Sequence, residues 1–533
     1  MLYQPKVFTG GSPRRLVILL MIVIVLGVLF RFASLDRKLY SHDEVFTNLR
    51  SAGFTREQVD QQLFSDRIFT PSELLEYQRL KPDSTAADTL ASLHKNPHHP
   101  PLYYLIARGW MRGFGSSILA SRLLPAVISL ISLPLIYALA WELFQSPLIS
   151  LMSTALLAVS PVDILLAQTA RQYSLMTALI IASSLMLLKG SRANNWLWWL
   201  GYVITCTLGL YTHLFFGLVI ASHIGWGILI FGSQPRRNYK PRPSLFFIQL
   251  AISICLTLVL YLPWITVIIH NWEQAQDLTS WTHQSMSLLD LSKFWMLSFT
   301  SVLVDIDFGF NSFWTYLFRL PFLLLIIYAL YDVSETNDSQ TGLFILTAIL
   351  IPFILLVLPD FLWGGQRSSV TRYLIACFPA IQIAIAFLLG THLNTGRQSL
   401  LDGEKLWLWV LAILLSSSII SLGLSTVSST WWDKGLSYFN HQVATEINQA
   451  NSSVVISDAG NGTNTGDLIS LSYLLDNNEV KLILMSNQPS LQLIPEQSTI
   501  FVFRPSQELQ ELLQQNYGDL QQVLDTPDLW RVQ

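Results

Sequence analysis

The chain has 533 residues, of which 51% are hydrophobic and 13% charged, with a formal net charge of −3. A mean hydropathy of +0.44, with charged residues at about half their share in soluble proteins, excludes an ordinary soluble globular protein. The near-neutral charge, without any concentrated basic face, argues against a nucleic-acid partner, because phosphate-backbone recognition needs such a face.

Lys6, Arg14 and Arg15 precede the first apolar run, 16–33. The arrangement resembles a signal peptide, but the run is longer than the usual apolar core of about 7–15 residues and lacks a clear small-residue cleavage site. It predicts an uncleaved first helix with a cytoplasmic N-terminus. Further apolar runs occupy 118–144, 148–166, 174–189, 196–212, 214–232, 245–269, 313–331, 342–358, 373–390 and 406–426. A spanning helix needs roughly 20 apolar residues, so the pattern predicts a polytopic α-helical membrane protein of about 11 transmembrane helices, with a membrane domain over 1–426. An odd count puts the termini on opposite sides. The basic connector containing Arg236, Arg237, Lys240 and Arg242 then falls in the cytoplasm together with Lys189 and Arg192, as the positive-inside rule requires. The acidic stretch 332–338 gives that rule no support.

In this orientation 34–117, the loop at 271–311 and the tail at 427–533 all face outward. The first of these contains two amphipathic stretches starting at Thr55 and Pro71, which read as short helices lying on the membrane. The run 100–114 is apolar but too short to span, so it reads as an interfacial or re-entrant helix opened by Pro100 and Pro101. After 426 the texture becomes soluble. Strand-like runs at 453–458, 480–485 and 499–503 alternate with helix-like segments at 467–475 and 506–515, predicting an extracytoplasmic α/β domain over 427–533. Its loop Asp458-Ala459-Gly460-Asn461-Gly462 lacks the spaced glycines and lysine of phosphate-binding loops and reads as a strand-to-helix turn. Cys206, Cys255 and Cys377 all lie within apolar runs, which predicts neither a disulfide nor a thiolate metal site. Trp196, Trp198 and Trp199 read as an interfacial belt.

The chemistry-bearing stretch is Ser41-His42-Asp43-Glu44, two adjacent carboxylates just beyond the first span. The same outer loop ends on His98-His99-Pro100-Pro101-Leu102-Tyr103-Tyr104. These residues, with Gly115, Arg122 and Arg171-Gln172-Tyr173-Ser174, resemble the PMT-like glycosyltransferases, the group of the protein O-mannosyltransferases and lipid A aminoarabinose transferases. Tyr103-Tyr104 after the His-Pro-Pro-Leu run matches the bacterial branch; the eukaryotic protein mannosyltransferases have glycine and lysine there and carry a β-trefoil that the tail at 427–533 does not resemble. The resemblance implies the GT-C fold, a multi-pass enzyme of the plasma (inner) membrane, and a polyprenyl-phosphate sugar donor. It also implies a hydroxyl acceptor on the outer face.

A sugar on a lipid phosphate already carries a good leaving group, so the enzyme must supply a base for the incoming hydroxyl and cations for the departing phosphate. Asp43 is the candidate base. Glu44 is the alternative base, or the residue that orients Asp43 and binds the acceptor, and the sequence leaves the two open. His98 and His99 lack the helical i, i+4 spacing of a metal pair and read, with Tyr103, as hydrogen-bonding groups for sugar or phosphate. No metal or other cofactor is indicated. Arg171, Arg367 and Arg372 fall at outward membrane edges, where arginine grips phosphate bidentately; snorkelling to lipid head groups is their plainer role. Arg122, Asp163 and Tyr173 complete the expected substrate-binding set. A transporter or flippase of a lipid-linked substrate is the alternative, although no internal repeat of the kind transporters use is visible.

Overall fold

The structure is a computed structural model that describes residues 14–193, 195–232, 243–306, 308–335, 339–393, 401–450, 452–460, 462–486, 498–524 and 528–532. The basic connector at 236–242 lies outside these residues. The chain divides into two compact units, one of Met1–Ala33, Asn96–Tyr103 and Pro125–Thr426, the other of Ser34–Lys95, Tyr104–Leu124 and Val427–Gln533. The sequence reading had divided the chain once, at 426; the structure groups most of the first outer loop with the tail.

The first unit is helical. Among the described residues, eight helices are long and apolar enough to span: Arg14–Phe32, Ile118–Phe144, Tyr173–Arg192, Ser244–His270, Phe313–Ser334, Gln340–Trp363, Ile375–Leu393 and Lys405–Ser437. A ninth arises if Pro147–Ala158 and Pro161–Ala167, bent by 57° at their junction, form one broken span. The expected count of 11 also included the helices Trp196–Thr212 and Phe216–Gly232, each of 17 residues, at the lower limit of what crosses a hydrocarbon core. The bend has a local cause. Ser160 is extended and Pro161 begins the second helix, so the chain can neither donate the next backbone hydrogen bond nor keep helical geometry before the proline.

Breaking that helix leaves the carbonyls of its last turn without intrahelical partners. Arg31, itself buried at the end of the first helix, fills the gap. Its Nη2 donates to Leu157 O at 3.1 Å, Nη1 to Ala158 O and to Gly27 O at 2.9 Å, and Nε to Ser129 Oγ at 3.1 Å. In a medium without water each such carbonyl needs a protein donor. Asp305 and Arg319 make a second buried tie, Nη2 to Oδ1 at 2.8 Å. The helices Tyr173–Arg192 and Ile375–Leu393 are buried over most of their length, whereas Arg14–Phe32, Ser244–His270 and Phe313–Ser334 turn most of their apolar surface outward, as lipid-facing helices do.

The second unit is built on a six-stranded mixed sheet: β1 (Arg67–Phe69), β2 (Ser453–Ser457), β3 (Val480–Leu484), β4 (Thr499–Phe503), β5 (Leu520–Gln522) and β6 (Leu529–Val532), in the order β1-β3-β2-β4-β6-β5. β2 runs parallel to β3 and β4, with Val455 opposite Leu482 and Phe501; β1, β5 and β6 pair antiparallel. Val454, Ile456, Ile483, Val502, Leu509 and Leu513 form one buried cluster, joining the alternate residues of three strands to the amphipathic helix Gln507–Tyr517.

The strands β2, β3 and β4 fall where the apolar runs place them, whereas β5 and β6 were not read from the sequence and β1 comes from the first outer loop, between the helices Arg56–Leu63 and Pro71–Leu75. Those helices were expected to lie on the membrane. Instead their apolar residues Val59, Leu63 and Leu74 are fully buried, and both helices pack on the helix Asn464–Ser472. Their starts at Thr55 and Pro71 were legible in the sequence, and the structure adds a capping box to each, Thr55 with Gln58 and Thr70 with Glu73. What covers an apolar face is not encoded in its periodicity.

Gly27 is where the first helix meets the broken one, since a Cβ there would lie 2.2 Å from Ala158 O and 2.9 Å from Ala158 Cβ. Backbone cannot yield as a side chain can. Gly27→Val is therefore expected to destabilise the detergent-solubilised protein by about 1–3 kcal/mol, as overpacking does, read as a lowered thermal midpoint. An unchanged midpoint would show that this crossing contributes little.

Candidate active site

Ser41-His42-Asp43-Glu44 is the first turn of the helix His42–Ala52. Ser41 is extended (φ −77°, ψ 160°) and forms a capping box with Glu44, whose Oε2 accepts from both Ser41 N and Ser41 Oγ at 3.0 Å. Two carboxylates in the first turn also suit the positive end of the helix dipole. Gly53 closes the helix in the left-handed conformation (φ 96°). Further along, Thr47 Oγ1 donates to Asp43 O at 2.9 Å, and Asn48 Nδ2 to Ser121 Oγ at 2.9 Å.

The two carboxylates have different surroundings. Glu44 is fully buried and gripped bidentately by Arg122, Nε to Oε1 at 2.7 Å and Nη2 to Oε2 at 2.8 Å. Lys434 Nζ reaches Oε2 at 3.3 Å. Arg122 spends its remaining donors on the carbonyls of Leu35, Lys38 and Leu39 at 2.7–2.8 Å and stands over the Tyr40 ring at 5.4 Å. Asp433 pairs with Lys434 at 3.1 Å. Burial drives the nearby Lys38 ammonium down to about 8, with Asp433 opposing and Lys434 and Arg122 adding. A carboxylate so saturated with donors is a poor proton acceptor, because protonation would forfeit several charge-assisted bonds at once. Asp43, next to it, is only half-buried. The two neighbours thus differ: Glu44 is held within the turn by its donors, and Asp43 is the less buried residue of the pair.

A second polar cluster lies in the first unit. Arg171 and Tyr173 are buried at the start of the helix Tyr173–Arg192, with the guanidinium 5.7 Å from the Tyr173 ring. Arg372 stands 5.8 Å over Tyr373 in the short turn Thr371–Tyr373. His213, in the connection between Trp196–Thr212 and Phe216–Gly232, lies close enough to feel both arginines. Burial first, then Arg171 and Arg372, push its imidazole down to about 3, so it is a neutral hydrogen-bonding group whose Nδ1 accepts from Phe215 N at 3.2 Å. The His213 ring lies 5.5 Å from that of Phe215 and 6.4 Å from that of Tyr373, and guanidinium groups near such a neutral imidazole suit an anion.

The other expected site residues fall as follows. His98 and His99 are half-buried with their rings 4.0 Å apart. Tyr103 is buried. Asp163 accepts from Gln382 Nε2 at 2.6 Å. Arg367 is committed to Asp360, Nη1 to Oδ1 at 3.1 Å, while the same carboxylate accepts from the backbone of Arg367 and Ser368. Both of these last residues thus have structural partners within the first unit. Among the described residues no group of three or more His, Cys, Asp or Glu side chains is arranged to hold a metal ion. Sequence reasoning missed Lys38, Asp433, Lys434 and His213. The signal for His213 was a polar residue interrupting two apolar runs; none existed for Lys434, which lies nearly four hundred residues from its partner.

Residues 98–264 match the family model described as dolichyl-phosphate-mannose-protein mannosyltransferase. No curated protein matches the sequence significantly. Among solved structures the chain is similar to ArnT from Cupriavidus metallidurans bound to undecaprenyl phosphate, at 12% identity over 97% of both chains with a TM-score of 0.52. It is also similar to the apo state of that protein, at 12% identity over 96% of this chain and 97% of the other, TM-score 0.51. The fold is thus the GT-C glycosyltransferase fold.

The Glu44 environment makes a direct prediction. Glu44→Gln leaves Arg122 buried without its counter-charge and Lys434 with Asp433 as its counter-charge, so it should cost about 3–5 kcal/mol of stability, the usual penalty for breaking a buried pair from one side. Thermal unfolding in detergent measures this, and the double variant Glu44→Gln, Arg122→Met should recover part of the loss. Equal stability of Glu44→Gln and wild type would contradict an anchoring role.

Proposed function

We propose that this chain, a membrane protein with the GT-C glycosyltransferase fold, is an inverting glycosyltransferase. It moves a sugar from a polyprenyl-phosphate donor to a hydroxyl acceptor on the outer face of the membrane. The observation that carries the reading is the division of labour between the adjacent carboxylates: Glu44 locked by Arg122 and Lys434, Asp43 half-buried beside it. The family match over residues 98–264 supports the reaction class. ArnT bound to undecaprenyl phosphate supports the class of donor.

In this mechanism Asp43 takes the proton of the acceptor hydroxyl as its oxygen attacks the anomeric carbon. The bond from that carbon to the phosphate oxygen breaks and its electron pair stays on the phosphate. A single displacement of this kind inverts the anomeric configuration. Arg171 and Arg372 hold the phosphate whose charge grows as the bond breaks, which makes them transition-state contacts. His98, His99 and Tyr103 are hydrogen-bonding groups for sugar or acceptor. The charge pattern of the connectors supports a cytoplasmic N-terminus and a reaction on the opposite face.

The test is to incubate the purified protein in liposomes with radiolabelled polyprenyl-phosphate sugars and a cell-envelope extract, and to follow the label. Label should appear in a new glycoconjugate; label that merely crosses the bilayer in unchanged lipid would instead indicate a flippase. Asp43→Asn should lower transfer by about a hundredfold to ten-thousandfold, the usual contribution of a general base, and wild-type turnover in that variant would refute the mechanism. Arg372→Lys, which keeps charge but loses the planar fork, should lower turnover more than donor affinity, whereas Arg372→Ala should damage both. A lysine variant with wild-type kinetics would remove Arg372 from the site.

A further inference from the structure

The residues on either side of Asp43 are both tied to the tail of the chain. The first N–H groups of a helix have no intrahelical acceptor. That of His42 donates to Ser437 Oγ at 2.8 Å, and Ser437 in turn donates to Asp467 Oδ1 at 2.5 Å. The His42 ring sits edge-on to Phe46 at 4.9 Å, with Nδ1 3.7 Å from Asp467 Oδ2. This approach requires glycine at the neighbouring position, since a Cβ on Gly466 would lie 2.5 Å from His42 Nδ1 and 2.7 Å from Phe46 Cε2. Asp467 is fully buried and held from its other side by Arg504, which also pairs with Asp528 at 2.8 Å. On the far side of Asp43, Glu44 receives Lys434 at 3.3 Å.

We propose that the tail of the chain is part of the catalytic apparatus: Asp467, through Ser437 and His42, and Lys434, through Glu44, are positioning residues for Asp43. The inference rests on Asp43 being the base. A domain that only stabilised the protein would need apolar contact with the helix His42–Ala52, not buried polar ties to the two residues flanking its reactive carboxylate. Such ties are favourable only in one geometry, because each donor and acceptor is expensive to leave unmade. They suit a turn whose carboxylate must be held accurately, since a displacement of about 1 Å costs on the order of a hundredfold in rate.

The decisive variants are Asp467→Asn, which keeps shape but loses the charge that binds Ser437 and Arg504 together, and Ser437→Ala, which removes the relay and leaves the Asp467 to Arg504 pair intact. Each is made in the full-length protein and assayed with the radiolabelled polyprenyl-phosphate sugar and envelope extract. We expect turnover to fall by about tenfold to a hundredfold with KM for the lipid donor within about twofold. Hydrogen exchange should speed up over residues 39–48 and not over β2, β3 and β4. Combined with Asp43→Asn, neither change should reduce transfer further, because a residue that acts through Asp43 has nothing left to position. Losses that multiply in the double variants would mark the contacts as merely structural and overturn the proposal, as would wild-type turnover in both single variants. If Asp467→Asn does not fold, Ser437→Ala decides alone by the same criteria. An active Asp43→Asn refutes the assignment of the base; an inactive Asp43→Asn with unaffected Asp467→Asn and Ser437→Ala refutes only the positioning role.

Discussion

A buried ion pair, Glu44 with Arg122, is the contact on which the candidate site depends. Removing a carboxylate and a guanidinium from water costs several kcal/mol per ion, and the cost is recovered only when geometry is good and every other donor and acceptor is satisfied. Both conditions hold. The fork of Arg122 meets both oxygens of Glu44, and its remaining donors end on three carbonyls of the segment that leads into the helix. One guanidinium thereby fixes the end of the chain segment 35–39 and the first turn of the helix that follows it. Asp43 inherits its position from this arrangement.

The same economy recurs in the first unit, where polar side chains repair breaks in helical hydrogen bonding. Arg31 satisfies the carbonyls released at the bend before Pro161, and Asp360 caps the turn at Arg367 and Ser368. In each case a charge within the membrane or at its edge has a structural duty. Intramembrane charge is a sound default pointer to function, but it does not distinguish a group that meets a ligand from one that meets a broken helix. Arg171 and Arg372 both act on the buried imidazole of His213, and Arg367 pairs with the Asp360 carboxylate seven residues away.

A Gly-rich loop at the end of β2 was read from sequence as an ordinary turn, and its geometry agrees with local duties. Asp458 accepts from Gly460 N at 3.2 Å and Ser506 N at 3.1 Å, and Asn464 Nδ2 donates to Asp458 O at 2.9 Å and Arg504 O at 2.8 Å. These bonds tie the ends of β2 and β4 to the helix carrying Asp467. The loop contributes to the motif indirectly, by fixing the helix against which His42 rests.

The sequence by itself determined the class of the molecule, because hydropathy and helix length follow from composition over twenty-residue windows. It also determined the helix starts at Thr55 and Pro71, the strands at 453, 480 and 499, and the identity of the carboxylate pair, since helix-start residues, alternation and adjacency are local properties. Tertiary structure alone decided which carboxylate is saturated, because that depends on Arg122 and Lys434, distant in sequence from Glu44. It alone placed β1 in a sheet otherwise made from the tail and covered the helices at 56–63 and 71–75 with protein. Periodicity states that a face is apolar; only the packed chain states whether lipid, water or another helix lies against it.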